Sequence, residues 1–370
     1  VFCTVKRAGK LKRININLNK REVMGMKKMS VFFVLLGLVI SIVLTGCSFN
    51  KESEQTGAKE VTKNESVDLS KVTLRVGQTG WGTLQEALKA AGLDDTPYKV
   101  EYSVFQGGNL ILEAMTAGHV DFGITSEIPP LFSSLAQNGE HSKVIAIQQS
   151  NTLQQELVVA KGSHIKSVAD LKGKKVAYVQ NTTAHYFLIK MLEDAGLTWN
   201  DIKPVQLTTS DGLAALLGGN VDALASYGNA IISAHQKGAT TLATAKDILS
   251  GDFQVNALKE AISDPGKHAA IVDLLDRVNQ AYKWQRENPE KWAKIVGAET
   301  KQPYDQAFQT FKDGEEQRPT RIIPLSDSKT DSQQDIANVF HNTGIINKKI
   351  NVTTFWNHEF DQELSKIVDQ

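Results

Sequence analysis

The sequence predicts an α/β protein of two similar lobes joined by a hinge, behind an export signal. Three observations carry that prediction. Strand-like and helix-like segments alternate from residue 74 to residue 237, one stretch of the alternation is written twice, and the chain beyond residue 256 turns helical.

In the first writing, Leu74–Gly77 reads as a strand, Leu84–Ala91 as a helix closed by Gly92-Leu93, and Tyr98–Phe105 as a second strand. The stretch Phe105–Pro130 (FQGGNLILEAMTAGHVDFGITSEIPP) is the centre of the chain. Its Gly-Gly pair opens a helix with apolar Leu110, Ile111, Ala114 and Met115, and Gly118 closes it before the strand Val120–Thr125. Ser126-Glu127 starts another helix, continued by Leu131–Asn138, with Pro129 and Pro130 in its first turn, where missing N–H groups do no harm. Strands Lys143–Gln148 and Glu156–Ala160 and a short helix Ser167–Leu171 follow.

The second writing runs strand Lys175–Val179, helix His185–Ala195 with Gly196-Leu197, strand Lys203–Leu207, helix Leu213–Leu217, strand Val221–Ala225 and helix Ala230–Lys237. AMTAGHVDFGITS aligns with ALLGGNVDALASY, and Gly118 to Gly219 is an offset of 101 residues. Two lobes facing one another explain the repeat, and the helices after Phe253–Val255 are expected to pack back on the first lobe. The boundaries expected are 71–155 for the first part of lobe 1, 156–255 for lobe 2, and 256–370 for the C-terminal helical part of lobe 1. The strand leading out at 156–160 and the one leading back at 253–255 would form the hinge.

The first 46 residues differ from the rest, holding nine Lys/Arg and one Glu. What remains has 32 basic against 40 acidic residues, a net charge of about −8, which speaks against non-specific nucleic-acid binding. Met26-Lys27-Lys28 makes a positive n-region, Val31–Leu44 an apolar segment too short to span a bilayer, and Leu44-Thr45-Gly46-Cys47 resembles a bacterial lipobox. Cys47 is therefore the expected lipidation site, 1–46 the leader and signal, and 47–70 the lipidated Cys and a flexible polar tether to the membrane. Residues 1–23 read as an over-extended gene start, with the initiator at Met24, Met26 or Met29. The two cysteines are Cys3 and Cys47, so the mature fold has no disulfide, thiolate nucleophile or Cys metal site. No P-loop occurs, and Ser126 lacks a G-x-S-x-G setting.

LRVGQ (74–78), FQGGN (105–109), GHVDFGITSEIPP (118–130), SVADLKGKKVA (167–177), HYFLIKMLEDAGL (185–197) and VDA (221–223) together resemble the substrate-binding lipoproteins of ABC importers for nitrate, taurine and aliphatic sulfonates, and most of all the sulfonate branch. The resemblance implies a type II periplasmic-binding fold that closes on a small organic anion by hinge bending, works with a permease and a separate ATPase, acts as a monomer and needs neither cofactor nor metal. Enzymes of similar fold, a sulfinate desulfinase and a thiamine-pyrimidine synthase, depend on cysteines that this mature chain lacks. The implied ligand pocket falls on Gln78, Gly108, Asn109, Ser126 and Glu127 in lobe 1 and on Thr182, Thr183, His185 and Tyr227 in lobe 2. Where the sulfonate branch commonly has a Trp-Asp-Pro-Tyr type element, this chain has Tyr227-Gly228-Asn229-Ala230, so the lobe-2 wall is altered.

A sulfonate is permanently ionised, so it requires donors, and free N–H groups at helix starts provide them. Several such termini with neutral donors would account for most of a micromolar affinity, roughly −8 kcal/mol. Trp81 is either a wall for an apolar tail, as Tyr227 is, or a core aromatic. Glu127 is either a cap or a partner for a ligand amine such as taurine's. His185 either packs at its helix start or touches ligand, and Arg318 and Arg321 either approach the cleft or pair structurally.

Overall fold

The computed structural model describes residues 67–135 and 141–368, so the export signal, Cys47 and most of the tether lie outside the described residues. The chain runs β1 (Thr73–Thr79), α1 (Thr83–Ala91), β2 (Lys99–Phe105), α2 (Gly108–Thr116), β3 (Phe122–Ser126), α3 (Pro129–Ser133) and β4 (Ser142–Gln149). Next come β5 (Gln155–Val159), β6 (Lys175–Tyr178), α4 (Thr183–Asp194), β7 (Lys203–Gln206), α5 (Thr209–Leu217), β8 (Ala223–Tyr227), α6 (Asn229–Gln236) and β9 (Thr240–Thr244). The chain then returns through β10 (Asp252–Leu258), followed by α7 (Lys259–Ser263), α8 (Pro265–Glu287), α9 (Pro289–Thr300), α10 (Tyr304–Gln317), β11 (Arg321–Ile323), α11 (Asp327–Asn342) and α12 (Asp361–Val368).

The strands form two sheets, ordered β11-β4-β10-β3-β1-β2 and β7-β6-β8-β5-β9. Each contains the same parallel triplet, β2-β1-β3 or β7-β6-β8, followed by an antiparallel strand, β10 or β5. The repeated Val-Asp pair has the same backbone role in both. Asp121 N–H donates to the Arg75 carbonyl and Asp222 N–H to the Lys175 carbonyl, each at 2.8 Å. Their carboxylates in turn accept from the Arg75 N–H at 3.0 Å and the Lys175 N–H at 2.8 Å, locking the start of each central strand.

Residues 150–154 and 245–251 cross between the sheets, and they meet where the Ser150 N–H donates to the Gly251 carbonyl at 2.9 Å. Buried Leu74 and Leu88 pack with Ile271, Leu274 and Leu275 of α8, so the first sheet has a helical backing that comes from far along the chain. Another core spans both lobes beside the crossings, joining Ile128 and Leu131 to Ile189 of α4 and Phe340 of α11. Such a core keeps its apolar area buried only while the two lobes stay together.

Several elements differ from the sequence expectations. Strands β9 and β11 were not expected. β10 runs on to Leu258 because β3 and β4 pair with both its edges, so the helix expected from Ala257 begins at Lys259. Helix α3 stops at Ser133, where the Ser134 N–H caps onto the Pro130 carbonyl. The helix expected from Phe355 begins at Asp361, since Trp356 bridges to Val144.

Candidate functional site

A cavity of about 330 Å³ lies between the two sheets, close to the crossings. It sits at the low end of the usual size of small-ligand sites, about 300–1,000 Å³. Four helices begin at it. Thr83 of α1, Gly108 of α2, Thr183 of α4 and the Gly228 cap of α6 all line the cavity, and none of these helices has a hydrogen bond from the side chain of its own N-cap residue. Each first turn has donors without intrahelical partners, and together they place partial positive charge around one space. None of the side chains lining that space carries a formal charge.

Gly108 permits this approach. A Cβ there would stand 2.8 Å from the Thr125 Cβ, so any larger residue would push the α2 terminus away from β3. Gly228 has φ of 57° and ψ of −133°, a backbone state that favours glycine, and it turns the chain from β8 into α6.

Gln78 supplies a directed donor. Its side chain is 4 % exposed and its Oε1 accepts from the Gln85 N–H at 3.2 Å. A backbone N–H can only donate, so the amide oxygen is fixed there and Nε2 faces the other way. That nitrogen has no hydrogen-bond partner. A buried unpaired donor costs about 1–3 kcal/mol, which a ligand oxygen would recover.

Six of the ten residues singled out from sequence line the cavity: Gln78, Gly108, Ser126, Thr182, Thr183 and Tyr227. The other four are placed elsewhere. Trp81 packs on Trp292, ring centroids 5.8 Å apart, against the first-lobe core. Asn109 follows Gly108 in α2 with its side chain folded back towards Gly107. His185 is 2 % exposed among Tyr178, Trp199, Phe340 and Phe132, and burial lowers its pKa to about 4, so the ring is neutral at pH 7.

Glu127 lies beneath the cavity at the hinge, 4 % exposed. Its carboxylate accepts from Ser250 and, at 3.1 Å, from Ser332 of α11. Burial raises its pKa to about 7, hydrogen bonds from Ser250 and Ser332 oppose that rise, and nearby Asp252 adds to it. Arg318 donates to the Ser250 carbonyl and pairs with Asp252 at 2.8 Å, while Arg321 Nε donates to Gln149 Oε1 at 2.9 Å. Both arginines therefore hold the hinge and the neighbouring sheet edge.

Sequence reasoning missed the contribution of β4 and α8. Tyr282 of α8 donates to Gln148 Oε1 of β4 at 2.6 Å, and both line the cavity. α8 is pinned beside them by Asn279, which bonds both the N–H and the carbonyl of Ile322 at 2.6 and 3.0 Å. Asn279 and Tyr282 are three positions apart, so one helix face serves sheet and cavity, a spacing visible in sequence without any sign of its target. The cleft is also tied at its mouth. Gln106 Oε1, in the loop before α2, accepts from Thr209 and Ser210 of α5, each at 3.0 Å.

Two lobes, a paired crossing and an uncharged donor-lined cavity between them define a ligand-binding protein of the periplasmic-binding type. The chain belongs to the NMT1/THI5-like family, whose model matches residues 88–292. An aliphatic sulfonates-binding protein of Escherichia coli (strain K12) is 30 % identical over 260 residues, covering 69 % of this chain and 78 % of that one. Another from Bacillus subtilis (strain 168) is 26 % identical over 324 residues, covering 85 % of this chain and 92 % of that one. Among solved structures, the periplasmic aliphatic sulphonate binding protein SsuA from Escherichia coli superposes with a TM-score of 0.65 at 28 % identity, over 77 % of this chain and 92 % of its own.

Proposed function

We propose that this protein is the extracytoplasmic solute-binding component of an ABC importer, and that it captures an aliphatic sulfonate between its lobes and delivers it to a membrane permease driven by a separate ATPase. The observation that carries the reading is the convergence of four helix starts without an N-cap side-chain bond and the unpaired Gln78 Nε2 on a cavity without charged side chains. A permanently ionised oxyanion suits such a site because it brings its own charge and exchanges no proton. Leu84, Ile124, Leu153 and Phe253 give the same cavity apolar wall for an uncharged tail, which supports an organic anion over nitrate. The binding-protein relatives support the same reading.

The absence of a lining carboxylate speaks against taurine, whose ammonium would find no partner, since Glu127 is already occupied by Ser250 and Ser332. Attachment to the membrane through lipid on Cys47 and action as a monomer belong to the same proposal. Among the described residues, no helix is long and apolar enough to cross a membrane. Replacing Cys47 by Ser should release the protein from membranes and abolish fatty-acid labelling.

The ligand reading is tested by thermal shift against ethanesulfonate, longer alkanesulfonates, taurine, nitrate and bicarbonate. A ligand that binds only the native state raises the melting temperature by mass action. A rise with alkanesulfonates alone is expected, and a rise with taurine or nitrate but no alkanesulfonate overturns the substrate.

A further inference from the structure

The cleft holds a second chamber. A cavity of about 310 Å³ lies on the outer side of the first, lined by Phe105, Leu213 and Ala230 and bounded at its rim by the Gln106 bonds to Thr209 and Ser210. No formally charged side chain lines it either. Thr79, Tyr227 and Gly228 line both chambers, so they form the wall between them. Thr79 is short and Gly228 has no side chain, which leaves the Tyr227 ring as the bulk of that wall. The ring reaches from lobe 2 across to lobe 1, where its hydroxyl oxygen lies 3.2 Å from the place a Cβ on Gly107 would take.

We propose that Tyr227 sets the length of ligand this protein accepts, by dividing one uncharged cleft into an inner chamber for the oxyanion and a short tail and an outer chamber that its ring closes off. This rests on the organosulfonate reading above. The helix starts and Gln78 fix the charged group in the inner chamber, so the tail of a linear ligand grows towards the wall. Each methylene that finds apolar contact raises affinity about fourfold, whereas one that meets the ring gains nothing or forces the lobes apart. Removing the ring would nearly double the continuous space and open an apolar patch of Phe105, Leu213 and Ala230 to the tail.

The test is calorimetric titration of the linear alkane-1-sulfonates, from ethane to decane, into the wild type, Tyr227→Phe and Tyr227→Ala. The wild type should gain affinity over the first few carbons and then lose it. Tyr227→Phe keeps the ring and should keep that profile. Tyr227→Ala should move its optimum at least two carbons longer and bind octane-1-sulfonate at least about tenfold tighter than wild type, whatever it loses on ethanesulfonate. An unchanged length profile in Tyr227→Ala overturns the proposal while the sulfonate reading stands. A wild type that binds no member of the series overturns both. If Tyr227→Ala melts well below wild type, Tyr227→Leu takes its place and is judged by the same profile.

Discussion

Helices α2 and α5 occupy corresponding places in the two lobes, yet their first turns are finished differently. α5 is closed by its own side chain, with Thr208 Oγ1 accepting from the Asp211 N–H at 3.1 Å. α2 begins at Gly107 with no such bond, and its open end lies at the cavity. The Val-Asp positions diverge in the same way. Asp222 is exposed and holds a strand start, whereas Asp121 is fully buried and also receives Arg75 at 2.5 Å and Lys267 of α8 at 2.9 Å. One plan has thus been used twice, and lobe 1 carries both the open second-helix start and the helical backing. The difference teaches that the oxyanion cradle is asymmetric: α1 and α4 contribute from equivalent places, α2 contributes without α5, and lobe 2 adds the α6 start and the aromatic wall.

Removing the shared aspartate tests the comparison most heavily. Asp121→Ala should destabilise by about 3 kcal/mol in urea unfolding, because it takes a fully buried carboxylate away from two half-buried cations, Arg75 and Lys267, and from the Arg75 N–H. Asp222→Ala should lose about 1 kcal/mol, the value of one hydrogen bond near solvent. Equal losses would show that α8 does not anchor lobe 1 through this residue. Burial alone would raise the pKa of Asp121, but the Arg75 and Lys267 bonds outweigh it and hold the carboxyl below its ordinary value. Its contribution is therefore present above the ordinary carboxylate pKa and fades as pH falls through the folded one.

Glu127 has the opposite sign. Its pKa is raised from 4.5 to about 7, so the native state favours the protonated form and stability is lost as pH rises from 4.5 through about 7. Glu127→Gln should gain on the wild type by up to roughly 3 kcal/mol between pH 5 and pH 8. A difference in melting temperature that stays constant over this range would mean that the hinge carboxylate is not desolvated.

The capping contrast predicts a separation of binding from stability. Gln78→Leu should weaken alkanesulfonate binding about 10- to 100-fold, since hydrogen bonds to charged groups contribute about 1.5–3 kcal/mol. Its melting temperature should change little, because losing the Gln85 bond is offset by removing the buried unpaired Nε2. Thr208→Ala should do the reverse, losing about 1 kcal/mol of stability and leaving affinity unchanged. The smallest effect belongs to the exposed tie at the cleft mouth. Gln106→Ala should speed ligand release a few-fold in stopped-flow without altering unfolding.

Much of this architecture was legible in the chain, because duplicated βα units keep their glycine punctuation and their apolar spacing. Gln78, Gly108, Thr183 and Tyr227 line the cavity, and each stands at a strand end or helix start, a place that the sequence alone can mark. Tyr282 and Gln148 were not found: one is in a long helix and one in a sheet strand, and only the fold brings them 2.6 Å apart. Trp81 and His185 look like site residues in sequence, yet tertiary packing turns Trp81 onto Trp292 and His185 into an aromatic cage. Strand β11 is three residues long and paired on one side by β4, too short for a two-residue period to show. The Thr240–Thr244 run did carry a signal, β-branched residues after a glycine stop, that could have been read as a strand.

The central claim is that this cavity recognises an anion through helix starts and neutral donors. Titration of butane-1-sulfonate and of butane-1-sulfonamide, its uncharged counterpart of nearly equal shape, into the purified protein tests it most directly. The account predicts micromolar binding of the sulfonate and binding of the sulfonamide weaker by about 100-fold or more, the effect of losing charge-assisted bonds at several termini. Equal affinity for the two would contradict it, leaving an apolar pocket that reads the tail and ignores the charge.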